Sequence, residues 1–91
     1  MSDISRDYSF GGWLRYARVR REITLRKAAA ALGIDPGNLS KLERSELNPP
    51  RSGAKIEEFS QKLGFDSVTT DILKSTAFSF HIGQFKKEFD Q

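Results

Sequence analysis

The sequence predicts an all-α protein, a compact five-helix domain followed by a short aromatic extension. Two observations predict this fold. Apolar residues recur at the spacing of amphipathic helices, and residues suited to begin or end a helix separate these segments. A length of 91 residues allows one domain. We place the domain at residues 9–77, a polar tail at 1–8 and the extension at 78–91.

The first helix is predicted to begin at Phe10, with Ser9 as its N-cap. Its apolar positions are Phe10, Trp13, Leu14 and Ala17. Arginines between these positions give the helix a basic outer face. Gly11 and Gly12 weaken the first turn by about 1 kcal/mol each if they lie within the helix.

Two short helices follow, joined by a tight turn. Thr24 is suited to cap a helix over 25–32, and Gly33 ends it because glycine accepts the positive φ that turns the chain. Asp35 is then the N-cap of a third helix, 36–44. Its first residue is a proline, which loses no needed hydrogen bond there.

The fourth helix is predicted to begin after Ser52 and to end at Gly64. Its inward residues are Ile56, Phe59 and Leu63. A fifth helix is predicted at about 68–76, with Asp66 or Ser67 at its start.

The extension after this helix fits two kinds of secondary structure. Its large apolar residues are Phe78, Phe80, Ile82, Phe85 and Phe89. The first three alternate as in a strand, whereas all except Phe80 fall on one face of a helix. Gly83 argues against one unbroken helix through the segment.

Composition excludes several classes of protein. The chain has no cysteine and one histidine, so we expect no disulfide, no metal site and no thiolate chemistry. No nucleophile–base constellation or phosphate-binding loop is apparent, so we expect neither an enzyme nor a cofactor. No apolar run reaches about 18 residues, and the segment MSDISRDYSF lacks the features of a signal peptide. We therefore expect a soluble, cytoplasmic protein without a membrane span.

The distribution of charge points to a polyanionic partner. The net charge is +3, and all eight arginines lie in the first 51 residues. Residues 1–51 carry a net charge of +4, whereas residues 52–91 carry −1. Because the planar guanidinium donates two hydrogen bonds at once to a phosphate, this asymmetry favours nucleic-acid binding by the first half. A solvated arginine-rich surface is the alternative.

Residues 24–44 have the pattern of a helix-turn-helix. Ala28 and Ala29 are small enough for the two helices to approach closely. Four larger apolar residues are placed to pack behind them: Leu32, Ile34, Leu39 and Leu42. In this motif the second helix enters the major groove of DNA.

These residues resemble a known family. The matching segments are Leu14-Arg15-x-x-Arg18, Ile23-Thr24, Ala28-Ala29, Leu32-Gly33-Ile34, Leu39-Ser40-Lys41-Leu42-Glu43-Arg44 and Asn48-Pro49. Over about residues 10–65 the chain resembles the Xre-like, phage-repressor type of helix-turn-helix DNA-binding protein. The resemblance implies a domain that binds double-stranded operator DNA as a homodimer and represses transcription. Its helix 36–44 would enter the major groove of a palindromic site.

The resemblance also implies roles for individual residues. The residues expected to contact DNA are Arg26, Pro36, Gly37, Asn38, Ser40, Lys41, Arg44 and Arg51. The Lys41 position reads a base edge in the family, and lysine suits guanine O6 and N7. Arg26 and Arg51 are the candidates for phosphate contacts. Pro36 and Gly37 stand where relatives often carry side chains that read bases. These two residues can offer DNA only their backbone and a close approach.

Arg18 and Glu43 match the positions of an internal ion pair of the family. Such a pair would link the first helix to the third and aim the arginine at the DNA backbone. Three departures accompany the match. Leu25 replaces a glutamine that contacts a phosphate, Ser45 replaces a glycine, and the loop after Asn48 is about two residues longer.

The phenylalanine-rich extension predicts an interface, because exposed aromatic clusters mark contact surfaces. Self-association through Phe78, Phe80, Ile82, Phe85 and Phe89 is our first interpretation, since a dimer would read both halves of a palindrome. The alternative is an antitoxin-type interaction module whose extension binds a partner protein such as a toxin. The lone histidine, His81, is expected to be buried or interfacial.

Overall fold

The computed structural model describes residues 9–89, and the side chains of residues 9–84. The five helices are α1 Phe10–Arg20, α2 Leu25–Leu32, α3 Pro36–Glu43, α4 Gly53–Leu63 and α5 Ser67–Phe89. Residues 9–89 contain no strand. The all-α fold class predicted from the sequence is therefore confirmed.

Each helix is preceded by a residue whose side chain caps it. The Oγ of Ser9 accepts a hydrogen bond from the Gly12 amide at 3.0 Å. The corresponding caps of the other four helices are Thr24, Asp35, Ser52 and Asp66. These contacts satisfy backbone N–H groups that have no partner inside the helix. This explains why each helix begins directly after a residue that can cap it.

Four helices end in the same turn. After α1, α2, α3 and α4 a residue adopts the left-handed conformation, and the next amide donates back to a carbonyl five residues earlier. The left-handed residues are Glu22, Gly33, Ser45 and Gly64, with φ of 58°, 71°, 63° and 75°. Glycine occupies two of these positions, so the other two hold strained non-glycine residues.

All five helices contribute to one core. Leu14, Leu39, Ile56 and Leu73 are the largest fully buried side chains, and Ala28 of α2 is also fully buried. The helix α3 packs on α1 and α2, while α5 packs on α1 and α4. No helix within residues 9–89 is both long enough and apolar enough to cross a membrane.

The last helix is longer than predicted. The structure has one helix from Ser67 to Phe89 where the sequence predicted a helix over 68–76 and an ambiguous extension. The strand alternative is therefore wrong, and Gly83 does not interrupt the helix. A glycine costs a helix only about 1 kcal/mol relative to alanine and keeps its hydrogen-bonding N–H, unlike proline. The boundary expected at residue 77 lies inside α5.

Candidate nucleic-acid interface

The helix α3 has one buried face and one exposed face. Leu39 and Leu42 are buried in the core, whereas Asn38 and Lys41 are exposed. The turn at Gly33 joins α3 to α2, and the carboxylate of Asp35 caps the first turn of α3. This is the arrangement that a helix-turn-helix needs, because its second helix must present side chains outward while remaining fixed from behind.

The C-terminal end of α3 is held by α1 through a buried ion pair. The Arg18 Nε donates to Glu43 Oε2 at 2.7 Å, and Arg18 Nη2 donates to Glu43 Oε1 at 2.9 Å. Arg18 Nη1 also donates to the Ile23 carbonyl at 2.8 Å. The structure thus contains the pair implied by the resemblance. With 8% of Arg18 exposed, its guanidinium has little surface left for a DNA phosphate.

A close backbone contact reinforces this attachment. A Cβ atom added to Gly11 in α1 would lie 2.6 Å from the Glu43 carbonyl oxygen and closer still to that of Leu42. Only glycine lets the two backbones approach this far. The sequence suggested that Gly11 weakens α1, and the structure adds the reason for its presence.

Lys41, expected to read a base edge, and Asn38, expected to contact DNA, both have available side chains. The Lys41 side chain is exposed, and no acidic group lies within 4.0 Å of its ammonium among the residues whose side chains are described. Asn38 is exposed as well, and its hydrogen bond to Asp35 uses only the backbone amide. Both residues can offer their side-chain donors to a base edge or a phosphate.

The start of α3 is less available than the sequence suggested. Pro36 and Gly37 are exposed, as a backbone approach to DNA requires. The Gly37 amide, however, already donates to Asp35 Oδ2 at 2.8 Å. Ser40 is half-buried, and its carbonyl oxygen accepts from Arg44 Nε at 3.3 Å. Pro36 and Gly37 therefore offer surface rather than free backbone donors, whereas the contact with Arg44 leaves the Ser40 hydroxyl unengaged.

Arg44 pairs with a neighbouring acid. Its Nη1 lies 2.9 Å from Glu46 Oε2, and both side chains are at least half exposed. Exposed pairs of this kind contribute about 0–1 kcal/mol, so a phosphate can replace Glu46 at little cost. Arg15 lines the same groove of about 560 Å³ as Arg44. Arg15 had no predicted site role, although its spacing of three from Arg18 places the two residues on one side of α1.

The phosphate candidates lie on different elements. Arg26 is exposed on the first turn of α2. Arg51 is exposed in the loop before α4 and lines a groove of about 890 Å³ together with Asn38. The groove runs between α3 and α4. Neither arginine has an acidic partner within 4.0 Å among the residues whose side chains are described.

One acidic residue also lines this larger groove. A hydrogen bond from Lys62, together with the charges of Lys55 and Lys62, lowers the pKa of the Glu58 carboxyl. Both lysines lie within 3.5 Å of that carboxylate. The two lysines therefore compensate the negative charge of Glu58, so this residue does not make the groove electrostatically negative.

The structure describes three of the five side chains in the predicted interface of the extension. Phe78 and Ile82 lie one turn apart on α5 and are 67% and 42% exposed. Phe80 is half-buried, stacks edge-on with His81 at 5.1 Å between ring centroids and faces the chain's own loop. Phe80 is thus less exposed than Phe78 and Ile82, and its assignment to an interface stays a prediction. The side chains of Phe85 and Phe89 lie outside the described residues.

His81 makes a contact that the sequence did not reveal. Its Nε2 lies 3.1 Å from the Pro49 carbonyl oxygen and 3.3 Å from that of Pro50. The two partners are 32 and 31 residues earlier in the chain. No local spacing could have indicated this contact, which joins α5 to the loop that carries Arg51.

Comparison of the chain with protein-family models, with curated proteins and with solved structures gives no match.

Proposed function

We propose that this protein is a sequence-specific DNA-binding transcriptional regulator of the repressor type, which inserts α3 into the major groove. One observation carries the proposal. The helix α3 is fixed from behind by the Arg18–Glu43 pair and the Gly11 contact, while Asn38 and Lys41 on its other face are exposed. The Xre-like motif of the sequence supports the same function.

Recognition would combine base contacts with phosphate contacts. Lysine donates to guanine O6 and N7, and asparagine pairs with adenine N6 and N7. Lys41 and Asn38 are therefore proposed to read bases. Arg26, Arg51 and Arg15 are proposed to bind phosphates, which would give most of the affinity and make it fall with added salt.

A second copy of the chain would complete the operator complex. One α3 covers only a few base pairs, whereas two recognition helices about 34–36 Å apart read both halves of a palindrome. The exposed Phe78 and Ile82 support pairing through α5. A dimer on a promoter would exclude RNA polymerase, and this role would place the protein in the cytoplasm with the DNA.

The same apolar surface supports a second candidate, an antitoxin-type module that binds a partner protein. The two candidates differ in what the purified chain does alone. A regulator that pairs with itself sediments as a dimer without any other protein. A monomer that copurifies with a second small protein in one-to-one ratio would favour the interaction module.

Selection from random duplex DNA tests the proposed function directly. The purified protein is mixed with a randomised duplex library, and bound DNA is recovered and sequenced over several rounds. We expect enrichment of one palindromic sequence, with half-sites about one helical turn apart. Recovery of DNA without any sequence enrichment would contradict sequence-specific recognition, and no recovery would contradict DNA binding.

A further inference from the structure

The loop between α3 and α4 has few hydrogen bonds of its own. Pro49 and Pro50 carry no N–H group, so two consecutive residues of this loop cannot donate. Among the residues that the structure describes, the contacts with His81 are the only hydrogen bonds to residues 47–51. The position of the loop therefore depends on α5 and on the burial of Pro49.

The geometry defines which ring nitrogen of His81 carries hydrogen. A carbonyl oxygen only accepts, so Nε2 must be the donor, shared between the oxygens of Pro49 and Pro50. The other nitrogen, Nδ1, is buried without a hydrogen-bond partner among the described residues. The His81 ring is therefore fixed by hydrogen bonds through Nε2 alone, and the same Nε2 holds the loop by its carbonyl groups.

Arg51 follows directly after the two carbonyl groups. Its side chain is exposed and lines the same groove as Asn38 of α3. Fixing the backbone before Arg51 reduces the conformational freedom that its guanidinium would lose on binding a phosphate. His81 itself is half-buried on α5 and does not line that groove.

We infer that His81 is a positioning residue for DNA binding: its Nε2–H holds the carbonyl groups of Pro49 and Pro50 and so orders Arg51 beside α3 for contact with a phosphate. This inference rests on the proposed function. It extends that function by giving α5 a part in the DNA-contacting surface, through a residue that need not touch DNA.

The first test needs no DNA. Trypsin cleaves after arginine, so the rate of cleavage after Arg51 measures how often the loop opens. Glutamine can place an amide donor near the position of Nε2, whereas methionine has similar bulk and no donor. We expect His81→Met to raise the rate at Arg51 about fivefold, the effect of one lost hydrogen bond, and His81→Gln to restore it.

Cleavage after Arg26 in α2 is the internal control. An equal rise at Arg26 and Arg51 in His81→Met would indicate general loosening of the fold and would overturn the inference. An unchanged rate at Arg51 would overturn it as well, because the loop would then be ordered without His81.

The second test measures DNA affinity in a double-mutant cycle. His81→Met should weaken binding to the selected duplex about fivefold in the wild-type background and have no further effect in the Arg51→Ala background. Equal weakening in both backgrounds would show that His81 does not act through Arg51. If the wild-type chain binds no DNA, the proposed function is wrong. The role of His81 in DNA binding is then wrong as well, even if proteolysis shows that His81 orders the loop.

Discussion

The backbone of Gly11 lies directly against the carbonyl oxygen of Leu42, leaving no room for a side chain between α1 and α3. The neighbours are backbone atoms near the end of α3, which cannot move without displacing that helix. Gly11 therefore sets the distance at which α1 supports the proposed recognition helix.

We expect Gly11→Ala to destabilise the protein by about 1–3 kcal/mol, the usual cost of overpacking a filled site. Urea denaturation followed by circular dichroism measures this change. The matched control is Gly83→Ala in α5, where an added Cβ meets nothing within 4 Å. That change should stabilise the helix by up to about 1 kcal/mol. A neutral Gly11→Ala would show that α3 tolerates displacement.

The Arg18–Glu43 pair gives the second prediction. Both side chains are buried, so removing one leaves a charge without its partner. Glu43→Ala should cost about 3–5 kcal/mol of stability and should also weaken DNA binding, because α3 loses its attachment to α1. A double-mutant cycle with Arg18→Ala should show strong coupling. Additive effects of the two substitutions would mean that the pair does not act as a unit.

Ser45 offers a stabilising substitution. Its φ of 63° places it in the left-handed region, where the β-carbon of a non-glycine residue costs about 1–2 kcal/mol. Ser45→Gly should therefore raise the free energy of unfolding by about 0.5–1 kcal/mol, after the entropy of glycine is subtracted. The reciprocal control is Gly33→Ser at φ 71°, which should destabilise. Thermal unfolding measures the melting temperature of both variants. A lower melting temperature for Ser45→Gly would contradict the expected relief of strain.

Short-range features of this fold could be read from the sequence, and long-range ones could not. The side chains of Thr24, Asp35 and Ser52 cap helices that begin within one residue of them. Capping depends on residues two or three positions away, so local reasoning was sufficient there. Whether α5 continues past residue 77 could not be predicted in this way, because the apolar residues there fit both a strand alternation and a helical face.

The candidate site shows the same division. The Arg18–Glu43 pair could be anticipated because the sequence resembles a family that has an ion pair at the matching positions. The contact of His81 with the Pro49 and Pro50 carbonyl groups spans more than 30 residues and involves backbone atoms of one partner. The partial burial of Phe80 was equally hard to predict, because strand alternation and helical spacing place that side chain on different faces.

Pairing through α5 can be tested with small changes in its exposed face. If the proposed dimer forms through this face, Phe78→Ser combined with Ile82→Ser should raise its dissociation constant about tenfold or more, because interface anchors typically contribute over 1 kcal/mol each. Sedimentation equilibrium measures this constant. The control is Val68→Ser, which removes an equally exposed apolar side chain from the other end of α5. An unchanged dimer in the double variant would exclude this face as the interface.

The most direct test of the central claim measures affinity for the selected duplex against salt, on that site and on its single-base variants. Lys41→Ala should cost about 1–3 kcal/mol per chain and abolish the preference at one base position of each half-site. Arg51→Ala should weaken binding to all sequences and reduce the salt slope by about one unit per chain. Lys74→Ala, an equal charge change beside Glu57 on the α4–α5 side, should alter neither. If Lys41→Ala leaves every base preference intact and changes only the salt slope, Lys41 contacts a phosphate and its assignment as a base reader is wrong. If neither Lys41→Ala nor Arg51→Ala affects binding, α3 is not the helix that reads DNA, and the central claim is wrong.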